Sequence, residues 1–380
     1  MEITFAELAQ WDKDSYTIVD IRDREAFAYG HITGAVNIPE AELWDQCANF
    51  AKTQKIVICC RTGQKSPAVV EKLRAQGFNA VNLTGGYFAW LKDHLMDLSG
   101  TKAEQVEKSI RKKFHRTLYG QFCRALNEYD LIQPNDKIAV CISGGKDSML
   151  MAKLFQELKR HNKIPFELVF LVMDPGYSPA NREIIERNAQ MLAVPITIFE
   201  TDIFDSVFKV EKSPCYLCAR MRRGHLYSQA QKLGCNKIAL GHHYDDVIET
   251  ILMSMLYGGQ IQTMMPKLHS KNFAGMELIR PMYLIREQDI LRWRDENQLT
   301  FIQCACKFTD TCTSEGCTGG ATASKRKLTK QIIAQLKQDD PQIERNIFRS
   351  VENVSLSTLI AYKDKAGMRH HFNDDYSPKN

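Results

Sequence analysis

The chain has 380 residues, 44% hydrophobic and 25% charged, which suits two or three globular domains with real cores. No run of about 18 apolar residues occurs, and Met1-Glu2-Ile3-Thr4 opens no basic-then-apolar leader. A membrane protein is therefore not expected, and a soluble cytoplasmic one is. Its 12 cysteines then point to thiol chemistry or metal ligation and away from disulfides. Residues 1–98 hold 10 Lys and Arg against 13 Asp and Glu, whereas the rest of the chain is basic. That split suggests that the later part meets a polyanion, although ordinary surface variation gives the same count.

Residues 1–98 read as one small α/β domain. Apolar runs at 16–20, 34–39 and 55–59 predict strands. The third runs into Cys60-Arg61-Thr62-Gly63-Gln64-Lys65-Ser66, and Pro67 starts a helix over 68–76. A cysteine at the head of such a loop faces backbone N–H groups, a helix N-terminus and the cations Arg61 and Lys65. All three favour a thiolate or persulfide, so Cys60 is a candidate nucleophile, and Cys59 belongs to the opposite face of the strand.

These features resemble a single-domain rhodanese: Asp20-Ile21-Arg22, Gly30-His31-Ile32-Thr33-Gly34-Ala35, the Cys60 loop, and Leu83-Thr84-Gly85-Gly86 followed by Trp90. The resemblance implies a sulfane sulfur carried as a persulfide on Cys60, with Arg61, Gly63, Lys65 and Ser66 in the persulfide loop. A phosphatase of related shape needs Cys-x5-Arg, and the sixth residue after Cys60 is Ser66.

Residues 99–135 read as a basic helical linker, with one helix over 102–126. Val106, Ile110, Phe114, Leu118 and Phe122 supply its apolar face, and Lys108, Arg111, Lys112, Lys113, Arg116 and Arg124 its charge. RNA contact and simple solvation explain that charge equally well.

The third region, 136–335, opens with a predicted strand at 137–142. It runs into Ser143-Gly144-Gly145-Lys146-Asp147-Ser148 and then a helix over 149–160. Two glycines let backbone N–H groups close on an anion, and the helix N-terminus adds partial positive charge. The spacing is not that of a Walker loop. It resembles the loop of enzymes that split ATP into AMP and pyrophosphate. Further strands at 166–174, 195–200 and 237–241 alternate with helices, which implies a parallel sheet with ligands at the strand C-termini. ATP is expected across Ser143–Ser148 and Gly241, with adenine near Val172 and Met173. After Gly241, the run His242-His243-Tyr244-Asp245-Asp246 begins a helix. Asp147, Asp245 and Asp246 are candidate Mg²⁺ ligands. Asp245 also suits a helix cap, and the two histidines also suit local hydrogen bonds.

Cys215-Tyr216-Leu217-Cys218 precedes the basic residues Arg220, Arg222 and Arg223. Far downstream, Phe301-Ile302-Gln303-Cys304-Ala305-Cys306 is expected to end an apolar strand, with Cys312 and Cys317 following. A pair plus a distant cysteine can ligate an iron–sulfur cluster; a zinc site or a redox pair remains open. Residues 336–380 read as a C-terminal helix and a loose tail.

Residues 110–335 resemble the tRNA 2-thiocytidine synthetase family of PP-loop ATPases. The resemblance rests on Ser143–Ser148, Cys215-x-x-Cys218, Leu240-Gly241-His242-His243-Tyr244-Asp245-Asp246, Tyr257-Gly258-Gly259, Ile279-Arg280-Pro281 and a late cysteine. Together with the rhodanese resemblance of the front segment, which the shorter family members lack, it implies an α/β chain in which a rhodanese-like domain precedes a PP-loop domain of the adenine nucleotide alpha hydrolase type. It implies ATP, Mg²⁺ and a 4Fe–4S cluster as cofactors, with Cys215, Cys218 and Cys304 as cluster ligands. The expected reaction is thiolation of an anticodon-loop cytidine, position 32, with Cys60 and Asp147 as catalytic residues. Expected partners are tRNA, a persulfide donor (a cysteine desulfurase or a small molecule) and a second copy of the chain. Lys325, Arg326, Lys327 and Lys330 join the three arginines as candidate RNA-phosphate contacts. Family members usually show Pro-Cys-x-x-Cys at the third ligand, where this chain has Gln303-Cys304-Ala305-Cys306, so Cys306 could replace Cys304. The alternatives are 4-thiouridine-type tRNA sulfurtransfer, another PP-loop sulfur transfer, and an RNA-binding sulfur carrier or redox sensor.

Overall fold

The computed structural model describes residues 2–47, 50–96, 102–161, 164–203, 214–302 and 320–374. They fall into two bodies, one of residues 1–244 with 265–324, the other of 245–264 with 325–380.

The first body contains two sheets among the described residues. One joins β1 (Glu2–Ile3), β2 (Tyr16–Asp20), β3 (Val36–Asn37), β4 (Lys55–Cys59) and β5 (Asn79–Leu83) in the order β1-β5-β4-β2-β3, every pair parallel. Along β4 the side chains alternate. Val57 and Cys59 enter one core, while Ile56, Ile58 and the following Cys60 enter the other. Burial on both faces is why β4 reads as an unbroken apolar run.

The second sheet joins β6 (Lys137–Ile142), β7 (Glu167–Asp174), β8 (Ile196–Glu200), β9 (Lys237–Ala239), β10 (Lys267–His269) and β11 (Glu277–Ile279) in the order β10-β11-β9-β6-β7-β8. All pairs are parallel except β10 with β11. The chain leaves β6 toward β7 on one side, whereas β9 and β11 lie on the other. The C-terminal ends of β6 and β9 therefore flank the topological switch point, where open α/β sheets bind ligands.

Three elements differ from expectation. The strand expected over 34–39 is only Val36–Asn37. Phe301 and Ile302, expected to end a strand, are buried without strand pairing. Phe301 stacks on Trp293 with ring centroids 6.2 Å apart, so packing alone accounts for their apolar character. The single helix expected over 102–126 is a helix at Lys102–Arg111, a π-helical turn at His115–Tyr119 and a helix at Gly120–Glu128. Its five apolar residues recur every fourth position, which on a 3.6-residue helix drifts by about 40° per step. The wider turn, with the Phe114 N–H donating to Ser109 O at 2.9 Å, resets that drift. All five are at most 1% exposed.

In the second body, the helix Tyr244–Gly258 from Asp245 onward packs with the helix Gly320–Asp339 from Lys325 onward. Arg326 Nη1 donates to Asp246 Oδ1 at 2.9 Å and to Glu249 Oε2 at 3.0 Å. A helix at Ile343–Ser350 and a hairpin of β12 (Ala361–Lys363) and β13 (Arg369–His371) complete it. Among the described residues no helix is long and apolar enough to cross a membrane.

Candidate active site

The phosphate loop lies at the switch point. Gly144 has φ +84°, and a Cβ there would meet Ile185 Cγ1 at 2.6 Å and Ile302 Cδ1 at 3.0 Å, so only glycine fits. Gly241, just after β9, lies against the loop from the other side. A Cβ on it would come 3.3 Å from Asp147 C and Ser148 N. The structure thus brings together two sequence segments about a hundred residues apart. Ser148 Oγ braces the loop by accepting the Ser143 N–H at 3.1 Å and donating to Gly145 O at 3.0 Å. The helix Lys146–His161 begins here, and its first N–H groups have no acceptor within the helix.

Lys146 is 5% exposed. Its Nζ lies 2.9 Å from Asp147 Oδ1 and 3.3 Å from Glu287 Oε1. Burial works against the ammonium, but Asp147, Tyr29 and Glu287 outweigh it and raise its pKa above the ordinary value. The lysine is therefore a fixed cation beside the loop. His243 Nε2 is 4.0 Å from Asp147 Oδ1. Val172 and Met173 are 1% and 2% exposed, and their side chains enter hydrophobic cores.

The cysteine loop caps β4. Cys60 Sγ accepts the Gly63 N–H at 3.1 Å. Ser66 Oγ lies 3.1 Å from Cys60 Sγ and 2.6 Å from Asn82 Oδ1. The loop's back wall is the Gly85-Gly86 turn, both residues at positive φ. There the Tyr87 N–H donates to Cys60 O at 2.9 Å, and the Phe88 N–H donates to Arg61 O at 3.1 Å. The Arg61 guanidinium sits 5.1 Å from the Phe88 ring centroid. Gly63, Lys65 and Ser66 lie in the same loop or on the first turn of the helix Ser66–Ala75. Neighbouring Cys59 is fully buried on the opposite face, where burial pushes its thiol pKa well up. The two adjacent cysteines thus have different environments, as strand alternation demands.

Cys215 and Cys218 fall within the first five residues of the helix Pro214–Lys232, three residues apart. Arg220 and Arg223 on that helix are exposed and Arg222 is half-buried. Cys304, Cys306, Cys312 and Cys317 lie outside the described residues. In the second body Lys325, Lys327 and Lys330 are exposed, and Arg326 holds the two carboxylates named above. Asp245 and Asp246 belong to that second body and Asp147 to the first.

Glu287 and Tyr29 are site residues that the sequence did not reveal. Glu287 opens the helix Glu287–Glu296 outside any recognisable motif. Tyr29 comes from the front fold, and its OH accepts the Lys146 N–H at 3.2 Å. Only the three-dimensional arrangement connects either to the loop.

Residues 4–93 match the rhodanese-like domain family and residues 111–307 match the PP-loop domain family. The chain is similar to the tRNA-cytidine(32) 2-sulfurtransferase of Neisseria meningitidis serogroup C, at 35% identity over 68% of this chain and 77% of that protein. It is similar to the enzyme of the same name from Geobacter sulfurreducens, at 32% over 62% of this chain and 89% of that protein. Among solved structures it matches the U34-tRNA thiolase NcsA of Methanococcus maripaludis, solved with its 4Fe–4S cluster. That match has 21% identity and a TM-score of 0.48 over 62% of this chain and 79% of that one. With more than half its length in the PP-loop match and such relatives covered over most of their length, the chain belongs to the PP-loop family of tRNA-cytidine(32) 2-sulfurtransferases, and carries a rhodanese-like domain in front.

Proposed function

We propose that this chain is an ATP-dependent tRNA sulfurtransferase that replaces the C2 oxygen of cytidine 32 by sulfur. The observation that carries the reading is the meeting of Ser143–Ser148 with Gly241 at the switch point, beside the buried cation of Lys146. Loop N–H groups and the Lys146 ammonium receive the ATP phosphates. The C2 oxygen of the base attacks the α-phosphorus, and pyrophosphate leaves. The oxygen then departs as part of AMP when a C2–S bond forms, so ATP has turned a poor leaving group into a good one. The base must leave its stack, which costs least in a single-stranded loop. Arg220, Arg222, Arg223, Lys325, Arg326, Lys327 and Lys330 supply phosphate contacts.

Mg²⁺ suits the hard carboxylate oxygens of Asp147 at the loop, since it binds through one or two carboxylates plus substrate phosphates. Cys215 and Cys218, three residues apart on one helix, suit an iron–sulfur cluster, with Cys304 as third ligand. Cys215, Cys218 and Cys304 would hold such a cluster, which would supply a place to bind the sulfide that reacts at C2. The front domain supplies sulfur: the Cys60 thiolate attacks the outer sulfur of thiosulfate, sulfite leaves, and a persulfide remains. Two thiols of a reductant then release that sulfur as sulfide, becoming a disulfide themselves, and regenerate Cys60. The Gly63 N–H and the Ser66 hydroxyl steady the anionic sulfur.

Anaerobic incubation with ATP, Mg²⁺, thiosulfate, a thiol reductant and unmodified tRNA, followed by mass analysis of nucleosides, tests this. 2-Thiocytidine at position 32 is expected. 4-Thiouridine, or no thionucleoside, overturns it.

A further inference from the structure

The front fold reaches into the phosphate loop. Tyr29 ends the helix Arg24–Tyr29. Its hydroxyl accepts the Lys146 N–H at 3.2 Å, and a Cβ on Gly145 would stand 3.5 Å from the same oxygen. The Lys146 ammonium lies 5.7 Å from the centroid of the Tyr29 ring. The backbone is pinned as well, because Arg294 Nη1 donates to Tyr29 O at 2.7 Å and Arg294 is only 7% exposed. One residue on, Gly30 O accepts from Arg22 Nη2 at 2.8 Å, and the Arg22 guanidinium covers the Tyr87 ring at 3.8 Å. Tyr87 in turn is bonded to the backbone of Cys60. A second contact fastens the two folds, with Lys92 Nζ 2.9 Å from Glu183 Oε1.

The Lys146 N–H is a first-turn donor of the helix, and such donors bind anions at phosphate loops. A phenol oxygen already takes it. A phosphate oxygen needs the same donor and the same space over Gly145, and one N–H cannot serve both well. We propose that Tyr29 is an autoinhibitory latch: its hydroxyl stands where an ATP phosphate oxygen goes, so nucleotide binding displaces it and loosens the helix Arg24–Tyr29. The sulfur-carrying fold thereby senses whether the loop is loaded. The latch moves a hydroxyl and a short helix while the sheet of the front domain stays in place, since its core is continuous with that of the PP-loop fold.

This rests on reading the loop as the ATP site, and the test separates the two. ATP affinity in the presence of Mg²⁺ is measured by calorimetry for the full chain and for Tyr29→Phe, which removes only the hydroxyl. Tyr29→Phe is expected to bind ATP roughly two- to tenfold more tightly, the factor for one neutral hydrogen bond that no longer competes. Equal or weaker binding by Tyr29→Phe overturns the latch and leaves the ATP site standing. Failure of the natural chain and Tyr29→Phe alike to bind ATP overturns the site reading and the latch with it. A second measurement needs no variant: amide exchange over residues 24–30 of the natural chain should rise when ATP is added. Unchanged or stronger protection there contradicts the latch.

Discussion

A Cβ on Gly86 would come within 2.3 Å of the carbonyl oxygen of Cys60. The same atom would come 2.7 Å from the Gly63 nitrogen, which donates to Cys60 Sγ. No flexible side-chain end is there to yield, so Gly86→Ala must push the cysteine loop away from the turn that shapes it. Thiosulfate-to-cyanide sulfur transfer is expected to fall by about tenfold or more, since a positioning error of about 1 Å costs on the order of a hundredfold. Wild-type transfer rates in the variant would contradict the loop geometry.

Cys60→Ser tests the relay. Without the thiolate no persulfide forms, so thiosulfate should no longer support tRNA thiolation, while added free sulfide should. Thiolation from thiosulfate at the wild-type rate would show that the front domain is not the sulfur source.

Lys146 places a full positive charge beside the phosphate loop and Asp147. Lys146→Ala is expected to weaken ATP binding by about tenfold or more, the scale of a charge-assisted hydrogen bond. Calorimetry with ATP and Mg²⁺ reads this directly, and unchanged affinity would remove the lysine from the phosphate site.

Cys215→Ser should lower the iron and acid-labile sulfide content of anaerobically purified protein, whereas Cys123→Ser, on the helix Gly120–Glu128, should not. Parallel changes at Cys304 and Cys306 identify the third ligand. Zinc at one per chain without iron would overturn the cluster.

Stability carries its own test. Glu107 accepts from Lys153 Nζ at 2.7 Å, and the Lys153 side chain is 0% exposed. Burial opposes the carboxylate's charge, yet Arg160 and Lys153 win and hold its pKa down to about 2, from 4.5. A depressed folded-state pKa stabilises the fold above the ordinary value and loses that stabilisation as pH falls through the folded one. Glu107→Gln leaves a buried ammonium without its anion, at a cost on the order of 3 kcal/mol. In urea denaturation the gap between wild type and variant should be full above pH 4.5 and close as pH approaches about 2. A gap that persists at the acid end would contradict the assignment.

Much of this site could be read from the sequence because its backbone demands are local. Ser143-Gly144-Gly145 announces a loop that only glycine can close, and Ile56 to Cys59 announces a strand buried on both faces. The regular spacing from Val106 to Phe122 marked the buried face, but not the π turn that keeps it aligned, because that turn answers to packing accumulated over four steps. Phe301 and Ile302 looked like a strand because buried apolar pairs have no periodicity of their own. Tyr29, Glu287 and Arg294 stayed hidden for a different reason. Each belongs to an ordinary helix and acquires its role only when that helix meets the phosphate loop.

The central claim is that ATP activates the C2 oxygen of a tRNA cytidine for exchange by sulfur, and an oxygen label follows that atom directly. With ¹⁸O at C2 of cytidine 32, the account requires the label to leave in the phosphate of AMP, one atom for each 2-thiocytidine formed. Label retained in the thiolated tRNA, or released into water or pyrophosphate, would contradict it.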